Sequence, residues 1–206
     1  EVLLFAYQQG LFPMAESRYA KRVQWVEPKK RGIFQLGKFH ISRSLKRVIL
    51  KKDYSITVNS CFPKVVEKCA DRNETWINQD IYNCYCKLHD DGFAHSVEVW
   101  RDDRLIGGVY GVAIGAAFFG ESMFSEVSNG SKIALTYLHD RLLKAGFILF
   151  DTQFLTEHLA SLGAIEITQA QYLIKLEQAL NKNANFLNVS YSADVATIAH
   201  RSTQTS

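Results

Sequence analysis

Apolar positions along the chain repeat first with the period of a helix and then with that of a strand. The opening "VLLFAYQQG" reads as a short helix stopped at Gly10, and Phe12-Pro13 begins a turn-rich connection running to about Pro28. "KKRG", from Lys29, reads as a boundary loop. In "SCFPKVVEKCA" the apolar residues Phe62, Val65, Val66 and Cys69 hold the i, i+3, i+4, i+7 spacing of one helical face, with Pro63 acceptable in the first turn. "DIYNCYCKLHDDG" repeats that spacing at Ile81, Cys84, Tyr85 and Leu88 and stops at Gly92. Both helices are expected ahead of any strong strand.

The period then changes to two. "AHSVEVW" alternates, with His95, Val97 and Val99 on one face and Ser96, Glu98 and Trp100 on the other. Arg101-Asp102-Asp103-Arg104 predicts a hairpin turn, after which "LIGGVYGVAIG" and "AAFFGESMF" continue an antiparallel meander. "SKIALTYLHDRLLKAG" predicts a helix with Leu135, Leu138 and Leu142 on its apolar face and Gly146 as its stop. "FILFDTQ" is a short continuous apolar run, the pattern of a strand buried on both faces. A short helix at "TEHLASLG", a strand at "AIEIT" and a helix near "QAQYLIKLEQALN" complete the order.

Helices, a meander, a helix and a central strand predict an α+β fold of GNAT-like acyltransferase type, with a mixed and mainly antiparallel sheet. The expected organisation is a small N-terminal domain over residues 1–28, the GNAT-like catalytic domain over 29–190, and a polar tail over 191–206, partly disordered. The chain does not begin with Met, so the first domain is expected to be incomplete at its N-terminus.

Composition adds little until charge is mapped. With 47% hydrophobic residues in 206, the chain is able to bury a real core. No window nears eighteen consecutive apolar residues and no signal peptide is visible, so a cytoplasmic protein without membrane contact is expected. Cys61, Cys69, Cys84 and Cys86 lack metal-binding or disulfide-framework spacing, which predicts reduced thiols. The net charge of +3 hides a cluster: Arg18 to Lys52 holds twelve Lys and Arg against one acid, Glu27. Such clustering suits a polyanion such as RNA, and equally a solvated basic face. No P-loop, G-x-S-x-G or H-E-x-x-H occurs, so neither metal nor nucleotide cofactor is expected. "SEVSNGSK", ahead of the central helix, lacks the glycine-rich pyrophosphate loop that an acyl-CoA donor requires.

Four strings could carry chemistry. "ETWI" sets Trp76 on a loop, as a stacking platform for a nucleobase or a staple to the core. Glu98 lines a cleft or lies on a solvated sheet face. "FFGESMFS" places Glu121 among Phe118, Phe119, Met123 and Phe124, where a carboxylate must be held by partners or used. "FDTQ" ends the buried strand with Asp151 and Gln153 on one face, as a carboxylate–amide relay or a strand-end hydrogen-bond network.

Taken together, "AYQQGLFPM", "FHISRSLKR", "TWI", "AHSVEVW", "GGVYG", "FFGESMFS", "FDTQ" and "HLASLGA" occur in unbroken order up to about Tyr172. This series resembles the leucyl/phenylalanyl-tRNA–protein transferases. The resemblance implies transfer of Leu or Phe from aminoacyl-tRNA to the α-amino group of proteins beginning with Arg or Lys, which marks them for degradation by the N-end rule. By residue, it implies that Trp76 and Tyr7 bind the terminal adenosine, that Glu121 and Gln153 form the reaction centre, and that Asp151 orients Gln153. It places Phe118, Leu135, Leu138, Leu142, Phe150 and Met14 in the aminoacyl pocket, with Met14 standing where many members have Trp. Glu126 stands where the family often has Arg. Lys29, Lys30, Arg31, Arg43, Lys46 and Arg47 are the expected phosphate contacts within the basic stretch. Two alternatives share parts of this reading: a tRNA-dependent peptidoglycan-type aminoacyltransferase and an acyl-CoA-dependent GNAT enzyme.

Overall fold

Alternating apolar residues that cannot satisfy one face alone pair into a seven-stranded sheet in the order β4-β5-β6-β7-β8-β3-β9. The computed structural model describes residues 1–189, so the expected tail over 191–206 lies outside the described residues. In chain order the elements are α1 (Val2–Gln8), β1 (Phe12–Ala15), β2 (Val23–Val26), β3 (Lys30–Phe34), α2 (Arg43–Lys51), β4 (Ser55–Val58), α3 (Phe62–Ala70) and α4 (Gln79–Asp90). They continue as β5 (Ala94–Arg101), β6 (Arg104–Ile114), β7 (Ala117–Ser125), α5 (Gly130–Lys144), β8 (Leu149–Gln153), α6 (Glu157–Ser161), β9 (Ala164–Thr168) and α7 (Gln169–Leu180). Strands β7 and β8 run parallel; every other neighbouring pair is antiparallel. The fold is therefore α+β with a mixed, mainly antiparallel sheet.

Two apolar cores cover the two sheet faces. On one, Val97, Val99, Phe118 and Phe150 pack against Leu45 and Ile49 of α2 and Leu135, Leu138 and Leu142 of α5. On the other, Ala117, Phe119 and Leu149 pack against Tyr7, Phe62, Val66, Tyr85 and Tyr172 from α1, α3, α4 and α7. The pair β1–β2 joins this second core through Phe12 and Ala15. The predicted hairpin turn forms at Asp102 and Asp103, both left-handed at φ 46° and 59°, the geometry that matches strand twist.

Two expectations are overturned. "KKRG" is not a boundary loop: Lys30–Phe34 forms β3, hydrogen-bonded between β8 and β9. Its basic residues hid the strand because the buried Arg31 is neutralised inside the fold. Nor do α3 and α4 precede the strands, since four strands and α2 come before α3. Helix α2 escaped notice because only Leu45 and Ile49 are buried in it; Ser42 caps it by accepting from the Leu45 amide at 3.2 Å. A smaller correction concerns Cys84, expected on the apolar face of α4 but exposed. Among the described residues no helix is long and apolar enough to cross a membrane.

Candidate active site

The parallel ladder between β7 and β8 is short, running only from Ala117–Leu149 to Phe119–Asp151. Beyond it β8 continues against β3 and β7 against β6, so the two strands diverge. Glu121 and Gln153 stand at this fork and join across it, Gln153 Nε2 donating to Glu121 Oε2 at 3.0 Å. A bulge aims the carboxylate: Tyr110 faces Ser122 and Gly111 faces Gly120, leaving Glu121 as the extra residue on β7.

Glu121 is 8% exposed, and its negative charge is met by three donors. The Tyr7 hydroxyl donates to Oε1 at 2.6 Å and the Tyr85 hydroxyl to Oε2 at 2.5 Å, with Gln153 as the third. Burial keeps both phenols protonated, raising them well above their ordinary value, with the neighbouring carboxylate adding to the effect. Burial also pushes the Glu121 carboxyl from 4.5 up to about 7, although the three hydrogen bonds pull it down; Asp151 adds to the rise. Between those values the folded chain holds a proton that the unfolded chain has released. Stability from this group is therefore fully present below the lower value and lost as pH rises through about 7. Melting of the wild type compared with Glu121→Gln, from about pH 5 to about pH 8, should show wild-type stability falling relative to the variant, by on the order of 2–3 kcal/mol. A constant difference across that range would contradict the caged carboxylate.

Asp151, fully buried, shares the sheet face of Gln153 as the alternation predicted. Its contact with Gln153 is through the main chain: the Gln153 backbone N–H donates to Asp151 Oδ1 at 2.7 Å, while the side-chain amide turns to Glu121. Gln153 sits at φ 63°, left-handed backbone that costs a non-glycine residue roughly 1–2 kcal/mol unless neighbours hold it. Gly32 on β3 makes the tight turn possible, because a Cβ there would meet Thr152 Oγ1 at 2.8 Å and the Leu155 nitrogen at 2.9 Å.

Trp76 lies next to this centre, half-buried and edge-on to Tyr85 with ring centroids 6.5 Å apart. The structure thus brings Tyr7, Trp76, Glu121, Asp151 and Gln153 together. It does not bring the expected apolar pocket to them. Phe118, Leu135, Leu138, Leu142 and Phe150 lie across the sheet, sealed in the other core at 3% exposure or less, with Phe118 stacked on Phe186 at 5.4 Å. The alternation of β7 explains this, since Phe118 must point away from Phe119 and the caged carboxylate. Met14 alone of the six packs on the Glu121 side.

The basic stretch is also divided. Lys29 and Lys30 are exposed, Lys30 pairing with Glu166 at 3.0 Å, whereas Arg43, Lys46 and Arg47 ride on α2 over the opposite face. Arg31 is not a surface cation: it is 1% exposed and bound to Asp151, so its expected phosphate contact is withdrawn. Glu98 lines no cleft wall either; fully buried, it accepts from the hydroxyls of Thr57 and Ser96. Sequence reasoning gave no site role to Tyr85 or Tyr172. Each sat in a helical apolar stripe, and the signal was the hydroxyl, which a buried tyrosine must place somewhere.

An antiparallel meander ends in a forked parallel pair, with an amide and a carboxylate bridging the fork. The solved structure of FemX has a similar fold, with a TM-score of 0.54 at 12% identity, covering 81% of this chain and 66% of that one. The chain belongs to the leucyl/phenylalanyl-tRNA protein transferase family: the family model matches residues 33–177 and the model of its N-terminal domain matches residues 1–29. Proteins called leucyl/phenylalanyl-tRNA–protein transferase from Cereibacter sphaeroides and a Ruegeria species are 56% and 55% identical over the whole of this chain, covering 96% and 98% of their own lengths. One from Roseobacter denitrificans is 58% identical over 91% of this chain and 90% of its own.

Proposed function

We propose that this enzyme transfers Leu or Phe from its tRNA to the α-amino group of proteins beginning with Arg or Lys. Family membership supports the reaction class, and one observation carries the mechanism: the Gln153 amide held across the fork by the caged Glu121. The α-amine of an acceptor titrates near ~8, so a useful fraction is neutral at physiological pH and no strong base is needed. The site has to supply alignment. With Nε2 of Gln153 committed to Glu121, its carbonyl oxygen accepts from the incoming amine and directs the nitrogen lone pair at the ester carbonyl. A C–N bond forms, the C–O bond to the ribose of the terminal adenosine breaks, and the amine proton passes to the departing oxygen. The ester is already activated, so no metal or nucleotide enters the reaction.

The donor's terminal adenosine stacks on Trp76, beside an open cleft of about 680 Å³ whose lining mixes Arg18, Lys64 and Lys68 with Glu67 and Asp71 and follows Trp76 in the chain through Ile77 and Asn78. Of the expected pocket residues, Met14 packs against the core on the Glu121 side of the sheet. Exposed Lys29 and Lys30 hold phosphates of the acceptor stem without reading sequence, whereas Arg43, Lys46 and Arg47, on α2 over the opposite sheet face, are not assigned to it. In this reading the reaction is cytoplasmic, with its aminoacyl-tRNA donor, and the modified proteins are marked for degradation. Labelled leucine should move to an acceptor beginning with Arg from Leu-tRNA and not from leucyl-CoA, and ribonuclease treatment of the donor should abolish transfer. Transfer from the thioester alone would favour an acyl-CoA enzyme instead.

A further inference from the structure

Arg31 is among the largest fully buried side chains of the protein, and every face of its guanidinium is occupied. Nε donates to Asp151 Oδ1 at 2.9 Å and Nη2 to Oδ2 at 2.6 Å, while Nη1 donates to the Gly10 carbonyl at 2.8 Å. The rings of Phe12 and Tyr172 flank it, with centroids 4.8 and 4.4 Å from the guanidinium carbon. The Tyr172 hydroxyl donates to Asp151 Oδ2 at 2.9 Å, and the Gln153 amide fills the remaining place on Oδ1. Each carboxylate oxygen therefore accepts two hydrogen bonds, and the group has one orientation available. Only a planar fork supplies the bidentate contact together with the third donor and two stacked faces; a lysine ammonium does not.

We infer that Arg31, seconded by Tyr172, is a positioning residue for the transfer reaction: it fixes Asp151 so that the carboxylate holds Gln153 in its left-handed conformation with the amide aimed at Glu121. The inference rests on the reading of function above. Without the grip on its N–H, Gln153 relaxes towards extended backbone and its amide leaves the fork. Arg31 also couples the site to the N-terminal segment, because the Gly10 carbonyl it binds follows directly on α1, which supplies Tyr7 to Glu121. A purely structural ion pair would fasten that segment with the same contacts, and the two roles differ in one respect. A positioning role disappears once Gln153 is gone; a structural role persists.

A double-mutant cycle reads that difference. Single-turnover leucyl transfer from Leu-tRNA would be measured for wild type, Arg31→Lys, Gln153→Ala and the double variant. Arg31→Lys is expected to lower the rate about 10- to 100-fold with KM for Leu-tRNA within about twofold, and to change the residual rate of Gln153→Ala by less than about twofold. Effects that multiply would overturn the inference. Should Arg31→Lys not fold, Tyr172→Phe carries the same cycle by deleting one hydroxyl and keeping the ring. It is expected to cost about fivefold where Gln153 is present and nothing measurable in the Gln153→Ala background. Equal losses in both backgrounds would again overturn it. A wild-type protein silent with Leu-tRNA would contradict the function itself, an outcome distinct from multiplicative effects in an active enzyme.

Discussion

Gln153→Ala should lower the single-turnover rate of leucyl transfer about 10²- to 10³-fold while leaving affinity for Leu-tRNA within about twofold. The donor's adenosine and phosphates are assigned to Trp76 and the surface cations, none of which touches Gln153. What the substitution removes is the group that spans the fork and, in the proposed reaction, faces the amine. Gln153→Gly is the informative companion, because glycine takes φ 63° without the Cβ penalty that Gln and Ala both carry. It deletes the same amide and relieves the strain. Both variants should lose transfer alike, and recovery in Gln153→Gly would mean that backbone geometry matters and the amide does not.

The largest stability effect is expected at the other carboxylate. Asp151→Asn leaves the Arg31 guanidinium buried without its counter-charge and turns one carboxylate acceptor into a second donor facing it. Breaking a buried ion pair from one side costs about 3–5 kcal/mol, which in a chain of this size lowers Tm by roughly 6–20 °C. Glu121→Gln should behave in the opposite sense near pH 8. Glu121 has no cation paired to it in the cage, so neutralising it removes a cost of burial. Two buried carboxylates on one sheet face are thus expected to give opposite melting shifts. Shifts of the same sign and size would show that the ion pair and the tyrosine cage are not distinct environments.

Several of the polar side chains that the fold brings together were visible in the chain before its geometry was. Alternation placed Asp151 and Gln153 on one face, and an isolated carboxylate among aromatics marked Glu121, because both signals are local. The bulge that re-aims β7 could not be read, since it is defined by pairing with β6, and Tyr110-Gly111 carries no mark of it. Arg31 misled for a related reason. A basic residue in a basic stretch looks like solvent-facing charge, and only the return of β8 alongside β3 supplies the carboxylate that buries it. The residues that the resemblance assigns to the apolar pocket, Met14 excepted, lie in the core on the far face of the sheet, which local sequence could not show. Phe118 and Glu121 are separated by the odd spacing that sends them to opposite sides. Helix α2 went unseen because half of its positions are polar, and two buried residues are too few to set a period.

Acceptor choice by this enzyme is read from two acceptors that differ only at the first residue. Radiolabelled leucine on tRNA would be offered to the same protein beginning with Arg or with Gly, with the wild-type enzyme and with Gln153→Ala. Label is expected on the Arg-initiated protein, little on the Gly-initiated one, and none on either with the variant. Equal labelling of the two acceptors, or full transfer by Gln153→Ala, would contradict the proposed reaction.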